Sequence, residues 1–194
     1  MKDPRLEQLA DILTSHSTNL QPGEKVLIEA IDIPHALTHA LVAKATERQA
    51  LPFVTLRSNE ITRSLVKSIS PEAMRSWGEY DMHRMQDMDA YIGVRGSFNI
   101  SEMVDMPEEK MNSYKASYLK PVHFDVRVPK TKWVVLRYPT PSMAQQAGMS
   151  TEAFENFYFH VCTLDYADLS ERMQPLQDLM NETKKVKIRG PGTE

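Results

Sequence analysis

Cysteine is nearly absent from this chain of 194 residues. The single thiol, Cys162, excludes an internal disulfide framework and suits a reducing compartment. Long apolar runs are missing as well. Met1 is followed by charge, with no signal-peptide core and no stretch fit to cross a bilayer. The expectation is a soluble, cytoplasmic protein with no membrane partner. Nor is there an excess of positive charge: 23 Lys and Arg stand against 26 Asp and Glu, for a formal net charge of −3. Only Lys184, Lys185 and Lys187 cluster, so no nucleic-acid surface is expected. Internal repeats and low-complexity tracts are also lacking. The length leaves room for one core, or a core with appendages.

Several chemical motifs are absent too. The first strand runs into Ile31-Asp32-Ile33-Pro34-His35-Ala36, which holds neither a GxGxxG turn nor a P-loop, so nucleotide binding has little support. Gly96-Ser97 lacks the second glycine of a nucleophile elbow. His35 and His39 stand four apart on a helix, but without the glutamate of a zinc-protease helix or a third ligand; a solvated face accounts for them. Asp81 and His83 fall on different helical faces. His160 and Cys162 point apart on a helix, and Cys162 reads as a small buried hydrophobe. The 12 methionines fall mostly where helices face a core.

What is present is organised around Lys132 to Cys162. Trp133 to Tyr138 is β-branched and aromatic, as a buried strand is. Pro139 stops it. Thr140 is expected to cap a short helix through its side chain, with Pro141 at the first helical position and Gly148 ending it in the left-handed conformation. Ser150 then caps a second helix with Phe154, Phe157, Tyr158, Val161 and Leu164 on its apolar face.

Upstream, the pattern predicts an amphipathic helix from Pro4 to about Leu20 and a strand over Lys25 to Ile31. Asp32 is expected to cap the following helix. A second strand covers Phe53 to Leu56. Short helices begin near Ser58 or Asn59 and at Ser70-Pro71, and the third strand covers Ala90 to Val94. Asp105 and Glu108 have capping-box-like spacing, and Pro121 should kink or end the helix beyond them. A long helical stretch from Thr151 to Met180 should break at Asp165 or Pro175. Lys184 to Arg189 alternates polar and apolar residues like a half-buried strand.

Strands alternating with helices predict an α/β fold: a mostly parallel, doubly wound sheet of about four strands, order 2-1-3-4, with helices on both faces. In such sheets ligands sit beyond the carboxyl ends of the strands. Two loops there carry the candidate residues: Arg95, Ser97 and Asn99 after the third strand, and Tyr138, Thr140 and Met143 after the fourth. Each has a plain structural alternative. Thr140 can be only a cap, Ser97 and Asn99 only turn residues, and Arg95 only an ion-pair partner.

The stretch Tyr-Pro-Thr, Met-Ala-Gln, Ala-Gly-Met-Ser and a Phe-rich helix, within YPTPSMAQQAGMSTEAF, resembles a segment of the thermophilic metalloaminopeptidase family of aminopeptidases T and S. The closing KVKIRGPGTE agrees with it. The resemblance implies that residues 1–183 are the amino-terminal α/β domain of such an enzyme. Residues 184–194, with their C-terminal strand, would begin a truncated catalytic domain. That family removes amino-terminal residues from peptides with two divalent metals, zinc or cobalt, which polarise the carbonyl and activate water. Its ligands lie in the missing domain, so the resemblance assigns no catalytic or metal residue to this chain. It also implies a homodimer, and an inactive fragment whose candidate residues wall a substrate chamber or meet the other domain. Tyr166 stands where the family pattern has tryptophan, and Glu194 where it has aspartate. A self-contained α/β binding module acting through its strand-end loops is the alternative reading.

Overall fold

The computed structural model describes residues 3–193, so Glu194 lies outside the described residues. Helix α1 (Pro4–Ile12) starts with Asp3 accepting from the Arg5 N–H, and Pro4 at its head lacks only a donor that would be idle there. It runs into a wider-wound turn, Leu13–Ser17. Strand β1 (Lys25–Ile31) follows, then α2 (His35–Glu47), β2 (Leu51–Arg57), α3 (Asn59–Ser68) and α4 (Pro71–Gln86). After β3 (Ala90–Arg95) come α5 (Glu108–Tyr114), a π-wound stretch Lys115–Arg127 and the short α6 (Val128–Lys130). Strand β4 (Lys132–Arg137), α7 (Pro141–Gln146), α8 (Thr151–Cys162) and α9 (Tyr166–Glu182) complete the chain.

The four strands form one parallel sheet in the expected order, β2-β1-β3-β4. Alternate residues point to opposite faces. On one face Val26, Ile28, Ile92 and Val94 pack against α1, α2 and α8 through Leu9, Leu37, Leu41 and Phe159. On the other, Leu27 and Tyr91 meet Met85 of α4 and Tyr118, Val122 and Val126 of the π-wound stretch. β1 and β3 are covered on both faces and read as nearly continuous apolar runs. Edge strand β2 is half exposed throughout, with Phe53 and Leu56 open to solvent.

Local details depart from the sequence reading where tertiary contacts supplied a different partner. Asp32 does not cap α2. It takes a left-handed conformation (φ +48°), and its carboxylate accepts from the Asn59 N–H at the head of α3. Asp105 makes no capping box; it pairs with Arg63, and α5 begins after Pro107 without a side-chain cap. Pro121 does not end its helix. The wider π winding carries the chain past it to Lys130. On α8 the buried face is Phe154, Tyr158 and Phe159, whereas Phe157, Val161 and Leu164 are exposed. The break expected in the Thr151 to Met180 stretch at Asp165 or Pro175 does fall at Asp165, which accepts from two N–H groups at the head of α9; the helix then runs through Pro175. Cys162 is half-buried against the core.

Residues 184–189 do not form the expected strand. Alternation alone cannot make one: with no neighbouring strand to receive its N–H and C=O groups, the segment stays irregular and exposed.

Candidate functional site at the carboxyl edge of the sheet

Three of the four strands end on arginine: β2 on Arg57, β3 on Arg95 and β4 on Arg137. Parallel register sets them in one row. Arg57 and Arg95 flank Ile31, and Arg137 lies beside Arg95. The loops that leave this edge are tied together. The Gly96 N–H donates to the Ile31 carbonyl at 2.7 Å, and a Cβ at position 96 would lie 2.2 Å from the Asp32 carbonyl oxygen. Only glycine lets these loops close. The Asn59 amide reaches the Gly96 carbonyl, and the Tyr138 N–H donates to the Arg95 carbonyl.

A cleft of about 380 Å³ opens at this edge, lined by Arg95, Ser97, Asn99 and Met143 among others. It shares Asn59, Arg95, Met103 and Arg137 with a second hollow of about 260 Å³ that reaches back to Glu29, His123 and Arg127. Four of the six predicted residues therefore meet at one cleft. Tyr138 does not join them. It faces the other side of the sheet, where it lines a hollow with Leu6, Glu7 and His39 between α1 and α2.

Thr140 is also displaced from the cleft, being only 4 % exposed. Its hydroxyl does not cap α7, which corrects the sequence reading: no backbone N–H reaches it. The Ser142 hydroxyl donates to the Ser97 carbonyl. That uses its only proton, so the Thr140 hydroxyl donates to Ser142 Oγ, at 2.9 Å. A tertiary acceptor replaced the local one. The Met143 and Ala144 N–H groups bond instead to the Thr140 carbonyl.

Behind the arginine row lies a buried ionic network. Arg57 bonds Glu29 at 2.7 Å and Asp81 at 2.5 Å. The Tyr91 hydroxyl donates to Glu29, and that of Tyr118 to Asp81. The Arg127 guanidinium stacks 3.7 Å over the Tyr91 ring, with Glu29 3.8 Å away. Burial opposes ionisation of Glu29, yet Arg127 and Arg57 outweigh it and hold the carboxyl below its usual range. Asp81 is likewise lowered: hydrogen bonds from Tyr118 and Arg57 overcome burial. His123 is pushed down by burial and by the charges of Arg127 and Arg95, which favours the neutral imidazole.

Two carboxylates thus face the guanidinia of Arg57 and Arg127, with that of Arg84 3.9 Å from Asp81 as well. Arg95 and Arg137 are left over. Among the described residues neither has an ion-pair partner, and the buried Arg95 Nε has no hydrogen-bond acceptor. Arg137 was missed in the sequence. The repeated strand ending, Leu-Arg in β2 and β4 and Val-Arg in β3, was the sign of it.

The described residues include no group of three or more His, Cys, Asp or Glu placed to hold a metal ion. His35 and His39 are both exposed on α2. The donors a pair of divalent metals would require are therefore not assembled among the described residues. No described helix is long and apolar enough to cross a membrane.

Comparison with known proteins gives one sequence-family match: thermophilic metalloprotease (M29), over residues 2–189. No curated protein matches the chain. Among solved structures, wild-type AmpT from Thermus thermophilus aligns with TM-score 0.63 and 19 % identity, over 82 % of this chain and 43 % of AmpT. The chain thus spans less than half of AmpT's length, and at that identity the likeness shows the fold alone. An alcohol dehydrogenase superfamily protein from Novosphingobium aromaticivorans (15 % identity; 84 % of this chain, 49 % of that one) has a TM-score of 0.33. A quinone reductase described as putative, from Bacillus thuringiensis (16 %; 81 % and 49 %), has one of 0.34. Scores that low carry no argument.

Proposed function

This chain belongs to the thermophilic metalloprotease (M29) family, and we propose that it is the non-catalytic amino-terminal α/β domain of a dinuclear-metal aminopeptidase. The observation that carries the reading is the family match across residues 2–189, joined to a fold that covers 82 % of this chain but 43 % of AmpT. In this reading the metal ligands and the attacking water belong to a following catalytic domain, beginning in residues 184–194. The metals are two zinc or cobalt ions and the substrate is a peptide with a free amino terminus. The enzyme works in the cytoplasm as a homodimer. The loops bearing Arg95, Ser97, Asn99 and Met143 would wall the substrate chamber, with Tyr138 and Thr140 supporting the fourth-strand loop.

The test compares the 194-residue chain with the longer parent protein on aminoacyl anilides, with zinc or cobalt added. Turnover is expected from the parent only. Chelator-sensitive turnover by the 194-residue chain, surviving purification, would overturn the assignment. A stop codon directly after residue 194 in the gene would overturn the two-domain reading.

A further inference from the structure

We propose that the cleft between Arg95 and Arg137 binds the terminal carboxylate of a short peptide. The choice of a peptide rests on the aminopeptidase reading; the choice of an anion rests on the cleft alone.

The two arginines are register partners on adjacent parallel strands, whose backbones run about 4.8 Å apart. Both lie on the face that carries the buried network. Adjacent positive charges repel, and placing them side by side is unfavourable unless an anion comes between them. Every other guanidinium at this edge has its counter-charge or ring: Arg57 has Glu29 and Asp81, and Arg127 has Glu29 and Tyr91. Arg63, on the rim, has Asp105. Donors are left over as well. Arg127 is only 5 % exposed, yet its Nε has no acceptor, and it lines the inner hollow with Arg95 and Arg137.

Guanidinium forks match the planar oxygens of a carboxylate, and phosphate as well. The rest of the lining favours the former. Met103, Met143 and Ile100 offer apolar surface beside the charges, while Asn59 and Gln146 offer amides that can pair with peptide groups. The carboxylate of the lining, Glu102, is engaged by Arg63 at 3.9 Å and by the Asn99 amide at 3.4 Å, so it does not neutralise Arg95 or Arg137. A bare inorganic anion could take the amide N–H groups but would leave the apolar surface unused. The volume of about 380 Å³ falls within the range of roughly 300–1,000 Å³ of small-ligand clefts.

The test is isothermal titration of the 194-residue chain with Leu-Gly-Gly, with Leu-Gly-Gly amide and with inorganic phosphate, followed in parallel by the NMR titration of His123. Leu-Gly-Gly should bind at least tenfold more tightly than its amide and than phosphate. Its binding should raise the His123 pKa, because an anion offsets Arg95. Arg137→Gln should weaken Leu-Gly-Gly tenfold or more while leaving the amide unchanged. Arg137 is exposed, so this variant keeps the fold, and an unaltered unfolding midpoint checks that. Arg95→Gln should behave alike. Equal affinity for acid and amide, or an Arg137→Gln variant that binds the acid as well as the parent chain does, overturns the proposal. Tighter binding of phosphate overturns the carboxylate assignment. No arm of this test reads turnover, so failure of the aminopeptidase reading would appear only in the activity assay.

Discussion

The Ser142 hydroxyl donates to the Ser97 carbonyl, so the first turn after β4 closes the loop that follows β3. Thr140 donates in turn to Ser142, giving a relay of two hydroxyls beneath the wall of the cleft. Ser97 thereby serves the cleft through its backbone as well as its place in the lining. The loops bearing the predicted residues are held as one piece.

This relay sets opposite expectations for two neighbouring substitutions. Ser142→Ala leaves the Ser97 carbonyl unpaired and should cost about 1–3 kcal/mol. Thr140→Val removes one donor but keeps the Ser142–Ser97 bond, and should cost only about 0.5–1.5 kcal/mol. Thr140→Ser should be milder still. Urea midpoints at constant m-value read all three. If Thr140→Val proves costlier than Ser142→Ala, the side chain caps α7 after all.

The sheet was legible in the sequence because its signals were local. Lys25 to Ile31 and Ala90 to Val94 are apolar runs between turn residues, and β1 and β3 lie there, buried on both faces. Ser70 and Ser150 cap their helices as expected, since the N–H that each accepts from lies three residues on. The misses are residues whose partner is distant in the chain. Asp32 serves Asn59, Asp105 serves Arg63, and the Thr140 relay ends at Ser97. Spacing cannot announce such partners. The arginine row is intermediate: each Arg is visible at a strand end, but only the register shows that Arg95 and Arg137 are neighbours.

Acid should weaken the fold through Glu29 and Asp81. Both carboxyls ionise below their usual range in the folded chain: for Glu29, Arg127 and Arg57 overcome the effect of burial, and for Asp81, Tyr118 and Arg57 do. As pH falls, the unfolded chain therefore takes up protons first. This stabilisation is complete above about pH 5 and is lost as pH drops through the folded-state values. Glu29→Gln should cost about 3–5 kcal/mol at pH 7, because it leaves buried guanidinium charge uncompensated. It should also flatten the dependence of the urea midpoint between pH 5 and 3. An unchanged slope in the variant would remove Glu29 from the acid response.

Leu136 separates half-burial from full burial. It lies in β4 opposite Val94 and packs only partly against the core, whereas Leu41 of α2 is 0 % exposed. Leu41→Ala should fall within the range of about 2–5 kcal/mol for buried leucine. Leu136→Ala should fall at or below its lower end, because solvent already reaches the side chain. Equal losses would show that β4 is more deeply covered than its exposure indicates, as contact with a further domain would cause.

Gly78 offers a test in which even the sign is decided by one contact. It lies inside α4, where alanine is ordinarily better than glycine by about 1 kcal/mol. Here a Cβ would lie 2.0 Å from the Ser117 carbonyl oxygen and 3.1 Å from its carbon. That obstacle is backbone, so no rotamer relieves it, and α4 must move off the Lys115–Arg127 stretch. The movement would loosen Trp77 against Tyr118, whose rings lie 4.2 Å apart, and Tyr118 carries the hydrogen bond to Asp81. Gly78→Ala should therefore destabilise by about 1–3 kcal/mol, as overpacking does, and should change the near-ultraviolet dichroism of Trp77. A raised midpoint with unchanged dichroism would mean that helix propensity governs the site. The close approach of α4 to the π-wound stretch, on which the buried ionic network depends, would then be wrong.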